Sequence, residues 1–187
     1  MNIRFGFRTL ALLAAACFVT CTPLSSVAQS ASSTMPAADA PPQLEFAFEE
    51  VVTLDKAVVV GDTLFGHRQY IPITGGSVTG PKLKGKVLPG GWDWQLGLGN
   101  SCASLSADYM LQAEDGTIIN VSNKGLLCGE ADGAFTRPVF EAPKEAYDWL
   151  TRGTFVGVLT VVGDPAHPAV RIRFYQAKQS QTTGSGR

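Results

Sequence analysis

Along the chain, apolar and polar residues alternate with a period of two much more often than they recur every three or four positions. Leu44, Phe46 and Phe48 alternate with Glu45, Ala47 and Glu49, and Val170, Ile172 and Phe174 alternate with Arg171, Arg173 and Tyr175. A strand sends successive side chains to opposite faces, so each pattern predicts a half-buried strand with the first set inward. Between them, residues 57–60, 65–73, 77–79, 83–88, 92–97, 103–112, 117–123 and 154–162 form further strand-like runs bounded by Gly, Pro, Asp or Asn. Only 143–152 reads as a helix: Pro143 suits its first turn, Ala146, Trp149 and Leu150 share a face, and Gly153 stops it. Nine or ten sequential antiparallel strands have edges to hide, and closing the sheet hides them. The expected fold is all-β, a closed antiparallel barrel of roughly 8–10 strands with one short helix.

The first 28 residues do not belong to that pattern. Arg4 and Arg8 precede an apolar centre, Leu10 to Val19, too short to span a bilayer, and Ser26 and Ala28 have the spacing of a signal-peptidase site. Export to the periplasm or medium follows, with cleavage after Ala28; lipid attachment at Cys17 is the minor alternative, since Ala14, Ala15 and Ala16 lead into that cysteine. Residues 29–42 are a Ser, Ala, Pro and Thr linker with too little apolar area to offset ordering, and 178–187 is a similar tail. The folded domain is thus 43–177 of a 187-residue chain. Cleavage removes two arginines and no acid, taking the net charge from −1 to −3. Such a domain has no electrostatic support for a nucleic-acid or anionic-membrane partner.

Cleavage also leaves Cys102 and Cys128 as the only cysteines. The strands flanking Glu114, Asp115 and Gly116 form a hairpin, Asp-Gly being a strong turn signal. If Ala113 faces Thr117, facing positions share the sum 230, and so do 102 and 128. The two sulfurs then oppose each other at a Cα separation of about 4.5 to 5.5 Å, which a disulfide bridges. His67 and His167 are the only histidines and lie a hundred residues apart, so no metal site and no cofactor is expected. Ser77, in Gly75-Gly76-Ser77-Val78-Thr79, is read as a turn residue rather than a nucleophile, and Gly97-Leu98-Gly99-Asn100 as a turn without a phosphate-binding helix.

Tyr70 to Trp94 reads YIPITGGSVTGPKLKGKVLPGGWDW. This stretch closely resembles the core signature of the domain of unknown function 3237 family. Supporting matches run through Ala107-Asp108-Tyr109, Asp115-Gly116, Asn123, Phe140-Glu141, Tyr147, Trp149-Leu150, Phe155-Val156-Gly157 and Phe174-Tyr175, so the resemblance covers about residues 44–176. It implies a calycin-like or related closed barrel and brings no established activity. Asn123-Lys124-Gly125 lacks the arginine that usually follows in the family, and Thr151 replaces an asparagine before Arg152.

A barrel of this size is either filled by side chains or encloses one small ligand. Period two puts Arg68, Tyr70 and Pro72 on one face and sets Asp93 between Trp92 and Trp94. A carboxylate beside indoles gains basicity, as a general base requires, and an arginine in the same space stabilises an oxyanion. The catalytic candidates are Asp93, Asp108 and Arg68, against plainer roles as a turn cap, a rim residue or ion partner of Arg171 or Arg173, and a solvated strand residue. The ligand-binding candidates are Tyr70, Trp92, Trp94 and Tyr109, joined by Asn123, Glu141 and Trp149 through the family resemblance. The reading placed first is a module that binds a small, partly aromatic metabolite in the barrel. The alternatives are a cofactor-free isomerase, cyclase or lyase with an Asp base and Arg stabiliser, and an envelope scaffold without a site.

Overall fold

The computed structural model describes residues 41–129 and 133–180. The signal segment, most of the linker and most of the tail lie outside the described residues. Ten strands form one antiparallel sheet: β1 (Gln43–Leu54), β2 (Val58–Thr63), β3 (Gly66–Thr79), β4 (Gly85–Val87), β5 (Trp92–Gly99), β6 (Cys102–Ala113), β7 (Ile118–Cys128), β8 (Ala134–Glu141), β9 (Phe155–Val161) and β10 (Ala169–Lys178). The order runs β1-β10-β9-β8-β7-β6-β4-β3, and β3 pairs back onto β1, which closes the barrel. Strands β4 and β5 share one position, each pairing with β3 and β6, and β2 extends β3 beyond the ring. The result is a closed eight-stranded barrel with two extra strands, as the alternation predicts.

Several local expectations are corrected. Residues 65–73 and 77–79 are one strand, because Gly75 and Gly76 adopt φ of +142° and +148° inside β3 and let it pass from β5 to β1 and β4 without a break. Ser77 is therefore a strand residue, paired with Val51 and Lys86, and not a turn residue. A bulge between Phe46 and Phe48 reverses the face of β1, so Phe48 is buried inward while Leu44 and Phe46 lie outside. From Phe48 onward the inward set is Phe48, Glu50 and Val52. Strand β8 has no counterpart in the sequence reading, although Ala134, Thr136, Pro138 and Phe140 alternate inward perfectly. The helix, α1 (Asp148–Arg152), is shorter than 143–152 and buries Leu150.

The Asp-Gly hairpin has the expected register. Ala113 N–H donates to the Thr117 carbonyl at 2.9 Å, and every β6–β7 pair from Cys102↔Cys128 to Gln112↔Ile118 follows it. Cys102 and Cys128 are disulfide-bonded.

The interior divides lengthwise. At one end Phe48, Phe140, Phe155 and Phe174 interlock, with Phe140 centroids 5.8, 5.2 and 5.4 Å from the other three. Leu111, Ile119 and Leu150 fill the gaps around them. Toward the other end, where β6 begins and β7 ends at the disulfide, the packing stops and the barrel is hollow.

Candidate functional site

The hollow has a volume of about 410 Å³. One wall is aliphatic, with Val52, Ile71, Ile73, Leu159, Val170 and Ile172 contributed by β1, β3, β9 and β10. Asp93, Gln95, Tyr109, Asn123 and Thr136, from β5 to β8, bring polarity to the other. The β9–β10 turn, with Asp164, Pro165 and Pro168, forms part of the rim. Asp164 Oδ1 holds that turn by accepting from the amides of Ala166 and His167 at 2.8 and 2.7 Å.

Asp93 is the inward acid. Its partners Ala107 on β6 and Ile71 on β3 face the same hollow. Gln95 Nε2 donates to Asp93 Oδ2 at 2.8 Å, and the Ser106 amide donates to Oδ1 at 3.1 Å. Gln69 Nε2 in turn donates to Gln95 Oε1 at 2.8 Å, which fixes the Gln95 amide with its N–H toward Asp93. Burial raises the Asp93 carboxyl above the ordinary aspartate range, and these two hydrogen bonds offset part of that rise.

Deeper in the barrel, Glu50 is fully buried and accepts from the Tyr109 hydroxyl at 2.8 Å. Its second oxygen, Oε1, has no partner. Burial pushes the Glu50 carboxyl up to about 8, the Tyr109 hydrogen bond pulling the other way. Burial first, and then the negative charge of Glu50 and Asp93, holds the Tyr109 hydroxyl well above its ordinary value. Gly91 makes room for Tyr109: a Cβ there would strike the Tyr109 side chain and the Asp108 carbonyl. Asn123 is 4% exposed in the same wall, and its Oδ1 lacks a partner.

Of the sequence-derived candidates, Asp93, Tyr109 and Asn123 line the hollow. Arg68, Tyr70, Trp92, Trp94 and Asp108 belong to the alternate positions of the same strands and lie on the barrel's outer face. Trp92 and Trp94 are 45% and 37% exposed, and Tyr70 stacks on Trp94 at 5.2 Å from outside. The basicity of Asp93 therefore comes from the buried wall and not from flanking indoles, and among the described residues no arginine lines the hollow with it. Asp93 does not cap the Gly90-Gly91 turn, its oxygens being held by Gln95 and Ser106. Arg171 and Arg173 pair with Glu49 rather than with Asp108, which is exposed beside Trp92. Glu141 is exposed at the end of β8, and Trp149 packs on Phe155 at 5.9 Å beside the closed end. Sequence reasoning missed Glu50, Gln69, Gln95 and Thr136; continuing the alternation Phe48, Glu50, Val52 points Glu50 inward.

Comparison with known proteins agrees with this barrel. An uncharacterised UPF0311 protein of Clostridium acetobutylicum is 35% identical over 133 residues, spanning 60% of this chain and 84% of the relative. A Penicillium herquei protein named as a hydroalkoxylation enzyme is 26% identical over 136 residues, 73% of this chain and 87% of its own length. The crystal structure of a β-barrel like protein from Acinetobacter baumannii superposes with a TM-score of 0.67 at 30% identity, covering 74% of this chain and 98% of that one. The family described as protein of unknown function (DUF3237) matches residues 42–177, and the chain belongs to that family.

Proposed function

We propose that the hollow binds a small, largely apolar, ring-bearing molecule and that Asp93 moves a proton on it without a cofactor, as in an isomerisation or an intramolecular cyclisation. The observation that carries this is the Asp93 carboxyl, held inward on an otherwise mostly aliphatic lumen and raised in basicity by that burial. The name of the Penicillium relative supports the cyclisation form. Hydroalkoxylation adds an O–H across a C=C: the oxygen gives up its proton, a C–O bond forms, and the other alkene carbon gains a proton. Nothing is oxidised or reduced, so a group that takes up and returns a proton suffices. Export also stays part of the proposal, and a disulfide suits an oxidising compartment.

The test compares wild type with Asp93→Asn on an ortho-alkenyl phenol, following ring closure by chromatography and lumen binding with naphthalene. Turnover is expected to fall by about two to four orders of magnitude while naphthalene affinity stays within a few-fold. Equal turnover in both proteins removes Asp93 from the chemistry. A second reading, a carrier that binds without turnover, is favoured by one feature: both Asp93 oxygens already accept hydrogen bonds from the barrel wall. Binding of naphthalene by a wild type that closes no ring would select it.

A further inference from the structure

Asp93 pairs with Ala107, and Ala107 pairs with Asn123, so the three side chains form one inward row across β5, β6 and β7. The outer two are polar and the middle one is a methyl group. The carboxyl and the amide thus flank a notch in the lumen wall, their backbones two strand spacings or about 10 Å apart. Rows on either side are not built this way: Gln95 faces Leu105, and Tyr109 faces Val121. Asn123 is more than nine-tenths buried and lines the hollow, yet its Oδ1 has no partner. That oxygen is itself occluded, so what Asn123 offers a ligand in the hollow is its Nδ2–H donors.

We infer that this notch is the seat for the hydroxyl of a phenol or enol, which enters hydroxyl-first, donates its proton to Asp93 and accepts at the same oxygen from the Asn123 Nδ2–H group. The aliphatic wall opposite covers the ring. This rests on the reading of the lumen as a small-molecule site and adds which end of the molecule points inward and which functional group it must carry. In the transfer, the O–H bond breaks, the proton passes to the Asp93 carboxylate, and the electron pair stays on the ligand oxygen.

The experiment measures the affinities of naphthalene, 2-methoxynaphthalene and 2-naphthol by calorimetry. A hydrogen bond to a charged group is worth enough that wild type is expected to favour 2-naphthol over its methyl ether by about ten- to a hundredfold. Ala107→Leu fills the notch and Asn123→Leu removes the amide; each is expected to shrink that preference to a few-fold or less while naphthalene still binds. Two variants guard against one failing to fold. A second readout is the emission of bound 2-naphthol: transfer to a carboxylate gives the naphtholate band, expected in wild type and absent in Asp93→Asn. Equal affinities for naphthol and ether in wild type, or a preference unchanged in both folded variants, overturns the inference and leaves the lumen reading standing. If wild type binds none of the three compounds, the lumen reading falls and this inference falls with it.

Discussion

Raising the pH from about 5.5 to 8 is expected to remove roughly 3 kcal/mol of folding stability from the wild-type protein, and Glu50→Gln is expected to abolish most of that loss. The Glu50 carboxyl rises from its ordinary 4.5 to about 8 because the folded barrel buries it completely. Between those two values the folded protein keeps a proton that the unfolded chain has released. Stability is therefore full below about 4.5, falls by about 1.4 kcal/mol per pH unit through the window, and levels off above the folded value. Asp93, also raised, adds a smaller slope of the same sign. Glu45 and Asp115 are lowered, Glu45 chiefly by Lys82 and Asp115 chiefly by Thr117, so their contributions change only at more acidic pH. The Tyr109 hydroxyl is raised and stays protonated throughout the window. Urea denaturation at a series of pH values checks this: Glu50→Gln keeps an acceptor for the Tyr109 hydroxyl and should give a shallow line, flattened further by adding Asp93→Asn. Parallel lines for wild type and Glu50→Gln would show that Glu50 is not the group titrating.

The same carboxyl shows how far the sequence carries and where it stops. Strand β10 is legible because Ile172 and Phe174 alternate without interruption against two arginines that need water. The β6–β7 register is legible because an Asp-Gly turn pins it, and the disulfide follows from arithmetic. Strand β1 misleads over Leu44 and Phe46 because one bulge at Ala47 exchanges its faces: both Ala47 and Phe48 are buried, and only from Phe48 does the period run inward, on to Glu50 and Val52. Strand β8 stays hidden because Pro138 and Thr136 occupy inward positions where a strand signature wants Val or Ile. In β3 the Gly75-Gly76 pair looks like a break, yet positive φ at both is what lets one strand serve two sets of neighbours.

For the site, a single choice of face decided most of the outcome. Tyr70 pairs with Trp94 and Pro72 with Trp92, so Arg68, Tyr70, Trp92 and Trp94 stand or fall together on one side of the β3–β5 ribbon. Bulky aromatics are ordinarily the inward set, and that expectation takes Arg68 with them. Here the aromatics face out, and the short polar side chains of Asp93, Gln95 and Gln69 face in, which leaves volume for a guest. Period two fixes which residues share a face but not which face is inside.

Phe140→Ala is expected to cost about 4 kcal/mol and to lower the melting temperature by on the order of 10 to 15 °C, while leaving the lumen able to bind naphthalene. Phe140 is 2% exposed and touches Phe48, Phe155 and Phe174 through edge or near-edge ring contacts. Its three ring neighbours are each held by a strand of the closed ring, Phe48 by β1, Phe155 by β9 and Phe174 by β10, which limits how far they relax into the space it would vacate. Trp149, by contrast, lies only half-buried against Phe155, and its truncation should cost much less. The two ends of the barrel have different duties: the phenyl cluster supplies stability to a tube whose other half is hollow, so the mouth can carry Asp93 and Asn123 at an energetic cost. Thermal unfolding and naphthalene titration of the one variant separate these duties. A Phe140→Ala protein that melts within about 3 °C of wild type, or that loses naphthalene affinity in proportion to its stability, would mean the interior behaves as one unit and that the division between closed and open ends has no energetic meaning.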